Sequence, residues 1–267
     1  MITPAGHILA SANPLEHVVQ HTLFTLPGTS IEVSNHMLMV LAAAVVMLIV
    51  LLRAARRRAQ VPSGLSNLIE AICVFIREEV ARPVLGENTD RFIKYLWTTF
   101  FFILFCNLLG MIPTDGILYL VSGFRLAGLG GAATANIWVT GALAALAFLM
   151  IHFSGIRQQG LINYIKNFIP HVPWPLRPIM YFLETIGAFI KPFALAIRLF
   201  ANMLAGHTVL SALLGLAFLA RSYAIGGVTI LGCAALSLLE LFVAFLQAYI
   251  FTYLTTMFIG AAVHPEH

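Results

Sequence analysis

FLETIGAFIKPFALAIRLFANMLAGHTVL, from Phe182 to Leu210, is apolar enough to belong in a bilayer, yet it carries Glu184, Lys191, Arg198, Asn202 and His207. A guanidinium at the centre of a lipid-embedded helix costs about 2.5 to 3.5 kcal/mol on insertion scales, so such an arginine normally faces protein or a water-filled cavity and has a task. Glu184, Lys191 and Arg198 are spaced seven apart. Seven residues turn a helix through about 700°, to within roughly 20° of the start, so the three share one stripe. Asn202, four residues after Arg198, stays near that stripe, whereas His207 points roughly to the opposite side. Near the C-terminus Glu240 and Gln247, also seven apart, repeat the device, which predicts two facing helices with polar stripes inside a membrane.

Outward from this stretch, composition sets the class. Hydrophobic residues make up 60% of the 267 and charged residues 10%, with several windows near the 20 apolar residues or so that cross about 30 Å of hydrocarbon. The fold class expected is all-α: a polytopic integral membrane protein of about five embedded helices plus surface amphipathic helices. The net charge of +4 is small and unevenly placed, so it reports topology, and no nucleic-acid partner is expected. Cys73, Cys106 and Cys233 are far apart, odd in number and each within an apolar segment, and read as small buried hydrophobes. No Cys or His pair has metal-ligand spacing, and no cofactor is expected.

The N-terminus lacks a basic start and an immediate apolar run, so residues 1–32 read as a polar arm and 33–267 as a single membrane domain. A first span from Val33 to Leu52 ends in RAARRRA, with Arg53, Arg56, Arg57 and Arg58, which marks the inner face and leaves the arm outside. After Pro62, Leu65, Leu68, Ile69, Ile72, Cys73, Ile76 and Val80 recur at helical spacing, predicting a helix along the inner surface. Spans follow over Tyr95 to Ile112 and Asn136 to Phe153, joined by a Gly-rich loop with Arg125. The last two apolar stretches, Ile179 to Leu219 and Val228 to Val263, flank a turn at Ala220 to Gly227. About 40 helical residues would measure near 60 Å, twice the hydrocarbon thickness. Each must therefore tilt strongly or break, with Pro192 a candidate kink. This order places the N-terminus outside and the C-terminus inside.

His207 and Glu240 are the groups that can change protonation near neutrality, a His by its ordinary range and a carboxyl when desolvation raises it, so the pair suits a proton relay. Arg198 stays charged at any relevant pH and suits a fixed barrier. Interhelical hydrogen bonding accounts equally well for Asn202 and Gln247 taken singly. Lys191 near an inner-side kink can reach the interface with its long stem. A structural role for Arg198 needs a nearby acid, and the candidates in this chain are Glu184, Glu240 and Asp115.

IRLFANMLAG (Ile197 to Gly206), LQAYIFTYL (Leu246 to Leu254) and NLLGMIPTD (Asn107 to Asp115) together resemble subunit a of the F-type ATP synthases. The likeness runs from about Pro62 to Ile259. It implies that Arg198 is the essential arginine, with Asn202 and Gln247 lining the proton path and Glu184 on the exit towards the inner side. His207 and Glu240 hold positions where many bacterial members have an acid first and a histidine second; here the two are exchanged, as in mitochondrial members. Bacterial relatives often carry an acid where this chain has Gly110, so that part of the inlet is expected from Asn107, Asp115 or Asn136.

The resemblance implies a stator subunit with two offset half-channels against a ring of c subunits, each bearing a buried carboxylate. It also implies b-type peripheral stalk subunits, the rest of the complex and the lipid bilayer as partners, in a bacterial inner membrane in preference to a mitochondrial one. No GxxxxGK[ST] loop is present, so ATP hydrolysis by this chain alone is not expected. The alternatives are a secondary transporter, which should show an internal repeat, a structural membrane subunit, and a self-contained channel.

Overall fold

In hydrocarbon every backbone N–H and C=O must be satisfied within its own segment, and long apolar stretches achieve this as helices. The computed structural model describes residues 22–25, 32–56, 63–112, 132–167, 173–220 and 223–263. It contains five helices long and apolar enough to cross a membrane. The sole strands among the described residues are β1 (Thr22–Thr25) and β2 (Glu32–Ser34), an antiparallel pair in the expected polar arm. Val33, expected to open the first span, instead pairs with Phe24 in this ribbon.

The first long helix, α1 (Asn35–Arg56), therefore starts two residues later and ends with Arg53 and Arg56 in its last turn, where cations complement the carbonyl end of the helix dipole. The surface segment is α2 (Leu65–Phe75), continued by a π-helical turn (Ile76–Ala81) and α3 (Arg82–Leu85). Ile76, Val80, Ala81 and Leu85 of this segment are buried, whereas Leu65 and Leu68 remain exposed. Helix α4 (Thr89–Met111) begins before the expected Tyr95, with the Thr89 hydroxyl donating to the Gly86 carbonyl at 2.6 Å. Then come α5 (Ile137–Gln159) and the short α6 (Leu161–Asn167), joined at Gly160, whose φ of +79° is a conformation glycine adopts without steric cost.

The last two helices, α7 (Arg177–Ala220) and α8 (Tyr223–Val263), run unbroken for 44 and 41 residues. Pro192 lies inside α7 without ending it, although its missing N–H leaves the Ala188 carbonyl without its usual donor. Of the two alternatives for fitting such lengths, tilting remains, since about 1.5 Å per residue makes each helix roughly twice the hydrocarbon thickness. Of the turn expected at Ala220 to Gly227, the residues from Tyr223 onward are already helical in α8, and 221–222 lie outside the described residues.

Two compact units emerge. One draws on Met1–Val46, Leu104–Thr140 and Arg198–Gln247. Its described core includes Ala132, Ala135 and Met203, packed where Gly110 offers no side chain. The other draws on Met47–Ile103, Gly141–Ile197 and Ala248–His267. There the Trp97 indole donates to the Cys73 carbonyl at 3.0 Å, Arg77 pairs with Asp90 at 2.7 Å, and the Gln159 amide donates to the Ala262 carbonyl at 2.7 Å.

Candidate functional site

In the first unit, Arg198 is exposed on α7, on a face shared with the exposed Ala194, Ile197, Ala201 and Ala205, while Leu199 and Met203 are buried on the other side. Among the described residues it has no ion pair and no hydrogen bond. Of the acids that could have neutralised it, Glu184 is paired with Lys191 at 3.7 Å. Glu240 has a buried Oε1 without a hydrogen-bond partner. Asp115 lies outside the described residues. A guanidinium placed at the surface of a membrane helix, amid apolar and small side chains, needs water or a group from another chain.

The polar atoms near Arg198 in sequence are equally unclaimed. Asn202 Nδ2 is buried without a partner, and so is Nε2 of Gln247, a residue only 3% exposed. Buried polar side chains are nearly always hydrogen-bonded, so these two open groups stand out on their helices. Glu240 lies on α8 directly against Gly206 of α7: a Cβ at position 206 would stand 2.5 Å from Glu240 Oε1 and 2.9 Å from its carboxyl carbon. The absence of a side chain at 206 is thus what lets the carboxyl reach α7. The backbone of His207 continues α7 from that glycine, while its side chain lies outside the described residues.

Asn107 differs from these. It is fully buried, its Nδ2 donates to the Ala244 carbonyl at 3.4 Å, and its Oδ1 accepts from the Thr134 hydroxyl at 3.0 Å. Both ends of the amide are therefore occupied in tying α4 to residue 134 and to α8. Asn136 is occupied too, its Oδ1 accepting the Trp138 amide at 2.8 Å as the N-cap of α5. The inlet role foreseen for these two residues has to share each with a bond that holds the fold.

Gly110, where the resemblance leads us to expect an acid, sits in a tight place. A Cβ at Gly110 would lie 2.5 Å from the Met203 methyl and 2.8 Å from the Ala132 Cβ. A carboxylate side chain does not fit there. Nearby, His36 is buried, and its Nδ1, facing the Ala132 carbonyl at 3.1 Å, must carry the proton and donate it. No spacing in the sequence marks this histidine as part of the same neighbourhood.

The second unit holds Glu184. Its partner Lys191 is one stripe step along α7, and the Lys191 ammonium also sits 5.2 Å from the Phe258 ring centroid of α8. Lys191, read from the sequence as a side chain reaching the interface, is exposed while it makes these two contacts. His152 of α5, which the sequence reading passed over, is in this unit as well, with a buried Nδ1 lacking a partner.

The ATP synthase A chain family matches residues 36–260. The chain belongs to the ATP synthase A chain family. ATP synthase subunit a 2 of Chlorobaculum tepidum is 43% identical over 204 residues, covering 76% of this chain and 54% of that protein. ATP synthase subunit a of Chloroherpeton thalassium is 44% identical over 213 residues, covering 78% of this chain and 58% of that protein. The protein of the same name from Myxococcus xanthus is 45% identical over 210 residues, with 78% and 64% covered. The chain thus spans little more than half the length of the first of these relatives. As in other ATP synthase A chains named here, the organisms are bacterial, and the five long apolar helices make this chain a multi-pass membrane protein.

Proposed function

We propose that this chain is the proton-translocating stator subunit of an F-type ATP synthase in a bacterial inner membrane. It forms two offset half-channels against a rotating ring of c subunits, and b-type stalk subunits hold it still. The observation that carries this reading is Arg198, exposed on α7 with no acid of its own chain paired to it among the described residues. A permanent cation of that kind suits a carboxylate that arrives on another chain. A proton enters from the outer side past His207 and Glu240, with Asn202 and Gln247 as polar neighbours, and neutralises a ring carboxylate. The neutral site can then turn through lipid. On reaching the inner half-channel near Glu184 it releases the proton, and Arg198 keeps the emptied carboxylate ionised.

The barrier must stay charged, because each proton crossing the membrane field carries about 2.3 kcal/mol per 100 mV, which a leak would dissipate. Lysine, whose pKa falls on burial, would serve less well. The test is proton flux through the reconstituted complex under a potassium diffusion potential, wild type against Arg198→Ala. Loss of driven ATP synthesis with passive leakage kept or raised is the expected result. Unchanged coupled synthesis would make the stripe a packing device.

A further inference from the structure

We propose that His152 is a second proton-carrying residue of the inner half-channel, working with Glu184; this rests on the half-channel reading above. His152 lies on α5, and its ring is held by aromatic neighbours, 4.0 Å between centroids from Phe148 and 6.2 Å from Tyr164 of α6. Phe148 in turn stacks on Phe189 of α7 at 5.3 Å, so the imidazole is fixed against the helix that carries Glu184 and Lys191. Yet its Nδ1 is buried and has no hydrogen-bond partner. A histidine kept only for packing would bury that nitrogen against a donor or be replaced by an apolar residue at no cost, since an unmatched buried polar atom is unfavourable. Thr185 Oγ1, beside Glu184 in sequence, and Thr255 Oγ1 on α8 are likewise buried and unmatched in this unit.

The charged and titratable groups around the imidazole define its role. From α7, Lys191 is close enough to act on it electrostatically, and the same ammonium pairs with Glu184 at 3.7 Å. From α6, the Tyr164 phenol lies within electrostatic reach of Glu184, and that carboxylate, after burial, helps raise the phenol above its ordinary range. Tyr164 is therefore neutral throughout and acts as a wall. From α8, Phe258 faces Lys191 and brings no charge. The imidazole and the Glu184–Lys191 pair therefore share one neighbourhood of this unit. In the synthesis direction, the proton released by a ring carboxylic acid adds to the lone pair of a neutral His152 nitrogen. The resulting imidazolium gives one proton through water to the Glu184 carboxylate, which releases it to the inner phase; imidazole and carboxylate are restored and one proton has moved.

The experiment uses the whole complex in liposomes, with proton flux driven by a diffusion potential while inner pH is varied at fixed outer pH. His152→Gln keeps a polar side chain of similar size but cannot titrate. We expect it to reduce flux several-fold and to remove the step that the wild type shows across the imidazole range of inner pH. Combined with Glu184→Gln, it should add little to the loss caused by Glu184→Gln alone. Wild-type flux and an unchanged pH profile in His152→Gln, with Glu184→Gln slow, would overturn the proposal and leave the half-channel reading intact. If Glu184→Gln too were indistinguishable from wild type, the half-channel reading itself would fall. Should His152→Gln not assemble, the wild-type profile decides: no step in the imidazole range of inner pH overturns the proposal.

Discussion

Gly206 and Glu240 meet across α7 and α8 with no room to spare. The carboxyl lies where a Cβ of residue 206 would stand, 2.5 Å from Oε1, so Gly206→Ala has to displace Glu240. Overpacking of this kind costs about 1–3 kcal/mol where the neighbour cannot yield. Here the neighbour is a side chain that can swing, so the expected outcome is an assembled complex with slowed proton flux. Flux equal to wild type would mean that the position of the Glu240 carboxyl is not critical. Gly110 is different, because Met203 and Ala132 both close on it. Gly110→Glu should lower the thermal midpoint of the assembled complex, since its Cβ already meets the Met203 methyl and Ala132. Gain of flux without loss of stability would show that the inlet does have room at this position.

The Asn136 side chain caps α5 through the Trp138 amide at 2.8 Å, and removing such a cap costs about 0.5–2 kcal/mol. Asn136→Asp, which retains an acceptor, should preserve stability, and Asn136→Ala should lose roughly that amount in thermal unfolding of the detergent-solubilised complex. A flux defect shared by Asn136→Asp and Asn136→Ala, with stability kept in the former, would instead assign the residue to the proton path. Asn107 holds two bonds, to the Ala244 carbonyl and from the Thr134 hydroxyl, in a fully buried position. Replacing it by Leu leaves both partners unmatched, about 1–3 kcal/mol for each buried group. The expected sign is lost assembly before lost conduction. Helix α7 passes Pro192 without a break because its neighbours in the last two-thirds, Leu195, Ala196, Leu199 and Met203, are buried along one face and hold the segment in register.

For the whole molecule, the arrangement leaves the proposed barrier incomplete in one chain. Arg198 and the exposed Ala194, Ala201 and Ala205 form a surface with a charge and small side chains, which admits close approach of another helix. Reconstituted alone, the chain is expected to support no steady proton flux under a diffusion potential, and to do so only with the ring present. Steady conduction by the isolated chain would favour a self-contained channel.

The class of this protein, its long apolar helices, the seven-residue stripe and the family are legible in the chain alone, because hydropathy, helical period and a dense motif around Arg198 are local properties. The stripe put Glu184 and Lys191 on one face, since i and i+7 nearly coincide, but that the two pair with each other at 3.7 Å is a finding of the structure. Only the tertiary structure decided which polar residues are spent on the fold and which stay open. Asn107 and Asn136 resemble Asn202 and Gln247 in composition and setting, yet the first two are bonded and Nδ2 of Asn202 and Nε2 of Gln247 are not. Asn136 bonds locally, as the cap of α5 through the Trp138 amide, but for Asn107 the difference depends on the Thr134 hydroxyl and the Ala244 carbonyl of distant segments, and hydrogen-bond partners across helices have no signature in local spacing. The same reason hid His36 and His152, single histidines in apolar runs whose surroundings arise from residues remote in sequence.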